Sequence, residues 1–476
     1  MTRLTLLQLN DLHAYLEPHP ELFWEAGAPM TRTTGGLARI KAYFDRVRAE
    51  CPGAVIALDN GDTFHGTGPV VATRGAFMPE LLNTLAFDGM TAHWDFGYGP
   101  EQLEQLAAHL SYPMLAANIY REDTSERPFA PFRMIDRGVR VGVLGLASNI
   151  VGDMPPRFGE GLRFTDGRAE TRDLVRRLRE EEGADVVVVL SHLGFPQDCA
   201  LAAEVPGIDV LLSGHTHNRL TEPQRVGRTL ITQAGCHGSF VSRLDLDVTP
   251  DQVTLVHHEL VEMHAGRPLD QPLAEAISGH LRPFRAAQEE IAGHTEVLLH
   301  RGTSLSAPAD DFLTAAVAHA AGTSIALSNG WRYGAPIAPG PISRMAVWNL
   351  VPHDPPVGQV RLSGSELAQM LEDNLEAVFA RDPWQQRGGY VKRMHGVVLY
   401  AKPENPHGAR VQAIEIAGEP LEPERQYEVA FLTNQAVPHR FGQNRRELTV
   451  SAVEAMLAYL KACGPVVAAP PSVHLI

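Results

Sequence analysis

Short runs of apolar residues without polar alternation recur through the first half of the chain, and each run ends abruptly in a polar or glycine-containing turn. Runs of this kind, rich in Val, Ile and Leu, are typical of strands buried on both faces. The clearest are Leu4–Leu9, Ala54–Leu58, Val186–Leu190 and Val210–Leu212. Patterns of helical period lie between them, at Gly36–Arg48 and Gly167–Glu182. Strands that alternate with helices predict an α/β sheet, whose ligands bind beyond the carboxyl ends of the strands.

The pattern changes near residue 268, where a long amphipathic stretch, Leu273–Ile291, is interrupted by Pro283. This stretch predicts a linker helix over 268–298. Beyond it we expect two helices, at Asp310–Ala321 and Ser363–Val378, and two strands, at Gly396–Ala401 and Gln426–Leu432. The sequence therefore predicts a first domain over 1–267 and a second, smaller α/β domain over 299–476.

Composition and charge narrow the possible classes of protein. A chain of 476 residues exceeds what one hydrophobic core usually supports, in agreement with two domains. Its net charge of −15 argues against binding of a nucleic-acid polymer, which needs a basic face. No apolar run approaches the length of a membrane span. The four cysteines are widely spaced, which favours reduced thiols. The first apolar run is followed directly by Asn10, without a signal-peptide cleavage site. We therefore expect a cytoplasmic protein.

Aspartate and histidine residues follow all four predicted strands. Three of the motifs are weak alone, because Asp-x-His and Gly-Asp segments are usually turns and a histidine after a strand is often structural. The Gly-His-Thr-His segment 214–217 is stronger, although it too can be structural. Together, at one sheet edge, they predict two divalent cations bridged by the carboxylate of Asp62. One cation would bind Asp11, His13 and His217, and the other His192 and His215. Mixed imidazole and carboxylate ligands suit manganese, zinc, iron or cobalt better than calcium or magnesium. Of these four we expect manganese.

These motifs also resemble those of a known family. The segments DLH, NGDTFHG, SHLG and SGHTH, in this order, resemble the calcineurin-like metallophosphoesterases. Ala326–Arg332 and Leu362–Leu367 resemble the C-terminal domain of 5'-nucleotidases. The resemblance implies a four-layer αββα metallophosphoesterase domain, a smaller α/β domain of the 5'-nucleotidase type that binds substrate, and hydrolysis of a phosphomonoester by in-line attack of a metal-bound hydroxide.

One segment departs from the family pattern, in which Gly-Asn-His-Glu precedes a Phe and supplies a metal ligand and a proton donor assisted by an acidic residue. Here the segment Thr91–Gly99 allows two alignments. In the first, His93 is a metal ligand, Trp94 replaces the proton donor and Asp95 is the catalytic acidic residue. In the second, His93 is the proton donor and Ala92 replaces the ligand. We prefer the first, because a ring nitrogen can replace an amide oxygen at a metal and Ala cannot.

The altered segment leaves other functions open. Together with Trp331–Gly334 and Asp382–Tyr390 it resembles the SoxB family, dimanganese enzymes that release sulfate from a cysteine S-thiosulfonate on a carrier protein. A Gly-Gly-Asp-Gly-aromatic loop that helps to hold the base in nucleotidases has no counterpart after Tyr427–Asn434. Phosphomonoester hydrolysis is our main prediction, a SoxB-like hydrolase is the alternative, and a non-catalytic binding protein on the same scaffold is a third.

Two residues of the second domain are candidates for substrate binding. Arg332 lies in a Gly/Pro-rich stretch that matches a phosphate-contacting segment of the nucleotidases, although a solvated arginine is an equal alternative. Tyr390 is a candidate for stacking on substrate, although it is also compatible with a packing role. The expected partner is a small anionic substrate, without a nucleic acid or a membrane; a SoxB-like function adds a carrier-protein thiol.

Overall fold

The computed structural model describes residues 1–150, 154–387 and 389–476, which form two compact units that divide between Arg282 and Pro283. This point lies within the predicted linker 268–298, where the structure has helices at Gln271–Leu281 and Arg285–Glu289 separated by a 3-10 turn. The second unit also includes Pro20–Arg32 and a short stretch that ends at Pro155, which the sequence did not predict. The domain boundaries at 267 and 298 stay predictions.

The secondary structure alternates between strands and helices in both units. In chain order the strands are β1 (Thr2–Leu9), β2 (His19–Glu25), β3 (Ala28–Thr34), β4 (Val55–Asp59), β5 (Gly89–Met90), β6 (Ile119–Arg121), β7 (Phe132–Asp136), β8 (Arg140–Leu146), β9 (Leu162–Phe164), β10 (Val186–Ser191), β11 (Val210–Leu212), β12 (Gln224–Val226), β13 (Thr229–Thr232), β14 (Phe240–Val248), β15 (Val253–Glu262), β16 (Ile291–Thr295), β17 (Ile325–Gly330), β18 (Gly340–Ser343), β19 (Pro356–Ser363), β20 (Tyr390–His395), β21 (Val397–Ala401), β22 (Val411–Ile416), β23 (Glu419–Pro420), β24 (Gln426–Leu432), β25 (Gln443–Ser451) and β26 (Val473–Leu475). The helices are α1 (Leu37–Glu50), α2 (Gly68–Ala72), α3 (Met78–Asn83), α4 (Pro100–Ala108), α5 (Arg168–Glu180), α6 (Phe195–Glu204), α7 (Gln271–Leu281), α8 (Arg285–Glu289), α9 (Pro308–Ala321), α10 (Arg344–Trp348), α11 (Gly364–Phe379), α12 (Thr433–Ala436) and α13 (Ala452–Cys463).

Two sheets form the centre of the first unit. One has the order β15-β14-β1-β4-β5, in which β1, β4 and β5 are parallel. The other has the order β12-β13-β11-β10-β8-β7, in which β13, β11, β10 and β8 are parallel. The parallel strands include all four apolar runs that the sequence assigned to buried strands.

The two sheets pack face to face through one hydrophobic core. It takes residues from both of them, among them Leu6, Ile56, Val143, Val188 and Leu212, all fully buried. Helix α1 packs on β4, and α5 packs on β8 and β10. The four-layer αββα order predicted for the first domain is therefore confirmed.

The second unit is a smaller α/β structure. Its main sheet has the order β20-β17-β24-β19-β25, and β17 and β24 are its parallel pair. Helix α9 packs on β17, β20 and β24, while α11 packs on β19 and β20, so the sheet carries helices as the sequence predicted. A four-stranded sheet, β23-β22-β21-β26, completes the core of this unit.

The structure also bears on the predictions from composition. All four cysteines lie among the described residues, and none of them forms a disulfide. In the same part of the chain, no helix combines the length and the apolar character that crossing a membrane requires.

Candidate metal centre

The seven residues predicted as metal ligands all follow strands of the first unit. The first sheet supplies Asp11, His13, Asp62 and His93, after β1, β4 and β5, and the second sheet supplies His192, His215 and His217, after β10 and β11. The side chains are buried, and His217 remains only 11% exposed. The packing of the sheets thus brings residues that are far apart in sequence to one place.

The backbone at these loops turns sharply as it leaves each strand. Five of the seven residues have a left-handed conformation, with φ of 53° at Asp11, 47° at His13, 55° at Asp62, 70° at His215 and 57° at His217. This conformation is uncommon outside glycine and clusters at functional sites, where the surrounding structure maintains it. The loops after β1, β4 and β11 therefore present their candidate ligands at some cost in backbone strain.

A glycine allows two of the loops to approach closely. Gly61, immediately before Asp62, has φ of 88°, and a Cβ atom there would lie 2.6 Å from the carbonyl oxygen of Thr91. Any side chain would push apart the segments that carry Asp62 and His93. The Gly-Asp pair in the sequence thus has a steric basis.

The ligand atoms fall into two groups of four that share Asp62. One group consists of Asp62, His93, His192 and His215, and the other of Asp11, His13, Asp62 and His217. Within each group, one ligand atom from every residue lies within 4.8 Å of the others. These groups coincide with the two sets assigned from the sequence, with His93 beside His192 and His215 as in the preferred alignment. The ligand role of each residue stays a prediction.

The donor atoms suit divalent transition metals. Asp62 Oδ2 lies 3.1 Å from His93 Nδ1 and 3.2 Å from His192 Nε2, while Asp11 Oδ1 lies 3.2 Å from His217 Nε2. The Nε2 atoms of His13 and His217 face each other at 3.1 Å. Converging imidazole nitrogens and carboxylate oxygens are the donor set that Mn, Fe, Co and Zn take in proteins. The residues present therefore fit a pair of such cations.

The electrostatics of the site also prepare it for cations. Burial acts to raise the pKa of the Asp62 carboxyl, but the adjacent His93 and His192 hold it well below its ordinary value. Burial lowers the pKa of His13 and of His93. Burial opposes protonation of His192 too, yet Asp62 and Asp11 raise its pKa to about 10. Because a histidine must lose this proton to bind a metal, uptake of a cation here would release it.

Asn60, which the sequence analysis passed over, orients His192 and links the two sheets. Its carbonyl oxygen accepts a hydrogen bond from His192 Nδ1 at 2.6 Å, so Nε2 is the nitrogen that faces Asp62 and would offer its lone pair to a cation. Its side-chain nitrogen donates to the carbonyl oxygens of Ser191 and Leu212, at the ends of β10 and β11. A metal-binding histidine usually has such an acceptor at its other nitrogen.

Asp95, predicted as a catalytic residue, has its carboxylate occupied by backbone groups. Its Oδ2 accepts hydrogen bonds from the N–H groups of Asp62 and His93, and its Oδ1 accepts from those of Thr63 and Phe64, at 2.8 to 3.1 Å. Asp95 thereby ties the loop of Asp62 to the loop of His93. This geometry supports a positioning role, and the catalytic role stays a prediction.

Trp94 occupies the place that the preferred alignment gives to the proton donor. Its backbone N–H donates to Asp62 Oδ1 at 2.7 Å, and its indole packs edge-on against Phe158 with ring centres 5.3 Å apart. On another side the indole lies 5.9 Å from the ring of His65. His65 is fully buried beside His13 and was not identified from the sequence, although it belongs to the Asn60–Gly66 motif.

The predicted substrate-binding residues lie together in the second unit. The guanidinium of Arg332 lies over the ring of Tyr390 at 5.3 Å and donates a hydrogen bond to the carbonyl oxygen of Gly389 at 3.1 Å. Both side chains are half-buried. Gly388, within the segment Asp382–Tyr390 that the sequence analysis singled out, lies outside the described residues.

Near Tyr390 the structure reveals a buried charge cluster that the sequence did not indicate. Arg301 and Arg393 contact the two carboxylate oxygens of Asp310, at 2.8 and 3.1 Å, and all three residues are buried. Arg393 also lies over the Tyr390 ring at 5.2 Å. Two arginines therefore lie near the Tyr390 ring, Arg393 from the buried cluster and the half-buried Arg332.

Comparison with known proteins relates both halves of the chain to nucleotidases. The family model of the 5'-nucleotidase C-terminal domain matches residues 291–435. A probable 5'-nucleotidase of Treponema pallidum is 32% identical over 231 residues, which cover 47% of this chain and 38% of that protein. The trifunctional nucleotide phosphoesterase protein YfkN of Bacillus subtilis is 25% identical over 465 residues, which cover 87% of this chain and 30% of that protein. The chain thus spans well under half the length of these two relatives.

Two solved structures match the chain along nearly its whole length. The sulfate thiohydrolase SoxB of Thermus thermophilus has a TM-score of 0.91 at 26% identity, covering 99% of this chain and 96% of that one. A 5'-nucleotidase precursor, also from Thermus thermophilus, has a TM-score of 0.88 at 26% identity, covering 100% of this chain and 99% of that one. A 5'-nucleotidase precursor and a sulfate thiohydrolase therefore share this fold.

Proposed function

Because the chain belongs to the calcineurin-like 5'-nucleotidase family, we propose that it is a dinuclear metal-dependent hydrolase of phosphomonoesters. The observation that carries the proposal is the carboxylate of Asp62, which belongs to both four-residue ligand groups. A shared carboxylate is the arrangement that holds two cations about 3.5 to 4 Å apart for an in-line displacement. When bound, such cations neutralise charge on the phosphoryl oxygens and make a water molecule more acidic.

The protein's own residues supply the geometry. Asn60 and Asp95 hold the ligand loops through the hydrogen bonds described above, so that the donor atoms are in place before a cation arrives. Sites that are organised in advance lose little energy to rearrangement during reaction. We propose manganese for the pair, with zinc, iron or cobalt as alternatives, because all four suit a mixture of imidazole and carboxylate donors.

Because Trp94 stands in place of a proton donor, it restricts which leaving groups the site can expel rapidly. An indole N–H is not a useful acid, and a positioned general acid contributes about 10²- to 10⁴-fold to hydrolysis of an unactivated ester. We therefore propose that activated phosphomonoesters, or substrates whose leaving group needs no proton, react fastest. A nucleotide remains a candidate substrate through the similarity to 5'-nucleotidases, and Arg332 and Tyr390 are the proposed contacts for such an anion.

The same residue favours one second candidate, a sulfate thiohydrolase like SoxB. A thiol has a pKa near 8.5 and can leave as a thiolate without a proton donor. The structural similarity to SoxB is as extensive as that to the nucleotidase. In this case the partner would be a thiol on a carrier protein. The cytoplasmic location expected from the sequence stays a prediction.

A panel of substrates separates these possibilities. Metal-loaded enzyme is assayed with AMP, p-nitrophenyl phosphate and S-sulfocysteine, beside an Asp62→Asn variant as the metal-site control. We expect the wild type to hydrolyse p-nitrophenyl phosphate and the Asp62→Asn variant not to. Hydrolysis of S-sulfocysteine alone would replace the phosphomonoester function with the sulfur function, and no turnover of any substrate by an enzyme with two bound cations would contradict both.

A further inference from the structure

His13 has a close contact at each of its two ring nitrogens. Its Nε2 lies 3.1 Å from His217 Nε2, within one ligand group. Its Nδ1 lies 3.0 Å from Nε2 of His65, on the side of the ring away from His217. His65 itself is only 1% exposed, so this second contact is buried in the same way as the ligand group.

These contacts determine where the protons must be when a cation is bound. A histidine ligates through a lone pair, so His13 must present an unprotonated Nε2 to the cation. A neutral imidazole then carries its proton on Nδ1, which acts as a donor. The group that faces this donor at hydrogen-bond distance is His65 Nε2, which must therefore accept. His65 in turn carries its own proton on Nδ1.

The second ligand group has an equivalent arrangement. There, Nδ1 of His192 donates to the carbonyl oxygen of Asn60 at 2.6 Å, and Nε2 is left to face Asp62. His65 thus accepts from Nδ1 of His13 in the same way that the Asn60 carbonyl oxygen accepts from Nδ1 of His192. One group uses a backbone acceptor and the other a side-chain acceptor, and the side-chain acceptor can be changed by mutation.

The position of His65 argues against a direct ligand role. Its Nε2 is 3.8 Å from Asp62 Oδ1, and among the described residues neither four-residue ligand group includes it. The Trp94 indole lies beside its ring with an angle of 34° between the two planes. Trp94 therefore also limits the movement of the His65 ring.

From this geometry we propose that His65 is a positioning residue that fixes the tautomer and orientation of His13 for metal binding. The inference rests on the proposed dinuclear function. Hydrogen-bond partners of this kind usually change metal affinity by about 10- to 100-fold when they are removed. Loss of His65 should therefore weaken the group of Asp11, His13 and His217 and leave the group of His93, His192 and His215 nearly unchanged.

The test compares His65→Leu, which removes the acceptor, with His65→Gln, whose amide oxygen can still accept from His13 Nδ1. Calorimetric titration of the metal-free proteins with Mn²⁺ is expected to show two sites in the wild type. In His65→Leu one site should be about 10- to 100-fold weaker, and His65→Gln should restore most of the loss. Thermal unfolding of the metal-free proteins checks that each variant is folded.

A measurement on the wild type keeps the inference testable if His65→Leu does not fold. In the Zn²⁺-loaded protein, long-range ¹H–¹⁵N spectra should show a proton on Nδ1 of His13, identified by its loss in His13→Gln. An unprotonated Nδ1, or a folded His65→Leu protein with two wild-type sites, would overturn the role of His65 and leave the proposed function intact. A wild type that binds no pair of cations would instead overturn the proposed function, and this inference with it.

Discussion

Replacing Asp95 with Asn tests which role its buried carboxylate has. The change keeps the shape of the side chain but turns one acceptor oxygen into an NH₂ group. In the wild type, the two oxygens accept four backbone N–H groups, from Asp62, Thr63, Phe64 and His93. In either orientation of the new amide, two of these backbone N–H groups will face its NH₂ group, which is also a donor.

The expected magnitude follows from that count. A buried donor left without a partner costs about 1 to 3 kcal/mol, so two of them cost about 2 to 6 kcal/mol of unfolding free energy. In one orientation the donors that lose their acceptor are the N–H groups of Asp62 and His93, which carry two predicted ligands. Loss of comparable support around metal ligands usually weakens metal binding by about 10- to 100-fold.

Urea denaturation of the metal-free protein measures the first effect, and calorimetric titration with Mn²⁺ measures the second. Glu372→Gln is a matched control in the second unit. The buried Glu372 carboxylate likewise accepts backbone N–H groups, from Gly408, Arg410 and Val411. We expect the control to lose stability in its own unit and to keep wild-type metal affinity.

The result distinguishes the positioning role of Asp95 from the catalytic role predicted from the sequence. A residue that assists proton transfer would, when changed, slow esters with poor leaving groups selectively and leave metal binding alone. If Asp95→Asn binds two cations with wild-type affinity and unfolds at the wild-type urea concentration, Asp95 does not position the ligand loops through these hydrogen bonds.

Three other outcomes can be checked directly. Asp62→Asn should reduce turnover to the uncatalysed background and lose bound metal; two tightly held cations with normal turnover, measured by elemental analysis and rate, would contradict the shared-carboxylate arrangement. p-Nitrophenyl phosphate should turn over about 10²- to 10⁴-fold faster than AMP, because Trp94 provides no acid; equal rates would reveal a proton donor elsewhere. Burial lowers the pKa of Lys392 from 10.5 to about 7, so the unfolded chain binds more protons above pH 7 and the unfolding free energy should rise from pH 7 to 9. Lys392→Met should remove that rise in urea denaturation, and an unchanged slope would show that Lys392 is charged in the folded protein.

The sequence predicted the elements that depend on local pattern. The apolar runs that end in Asp or His mark β1, β4, β10 and β11, because strands buried on both faces must be continuously apolar. The placement of ligands at the carboxyl ends then follows from the parallel sheet. This reasoning grouped Asp62 with five other residues, whereas His93 was identified only through the resemblance to the family.

The remaining features depend on contacts that no local pattern encodes. The four hydrogen bonds to Asp95 come from backbone N–H groups of two loops, and the local sequence does not encode the direction of these groups. His65 lies within a motif quoted from the sequence, yet only the fold shows that its ring meets His13. The segment Pro20–Arg32 joins the second unit although the sequence on both sides of it belongs to the first.

Each ligand group takes side chains from both sheets of the first unit. A pair of bound cations would therefore act as a cross-link between strands that are distant in the chain, such as β4 and β10. The sheets could then separate only after the cations had dissociated from their ligands. The rate of metal release would therefore set the lifetime of the folded domain. Resistance to proteases would follow metal supply, and a chelator would shorten the survival of the protein as well as stop its chemistry.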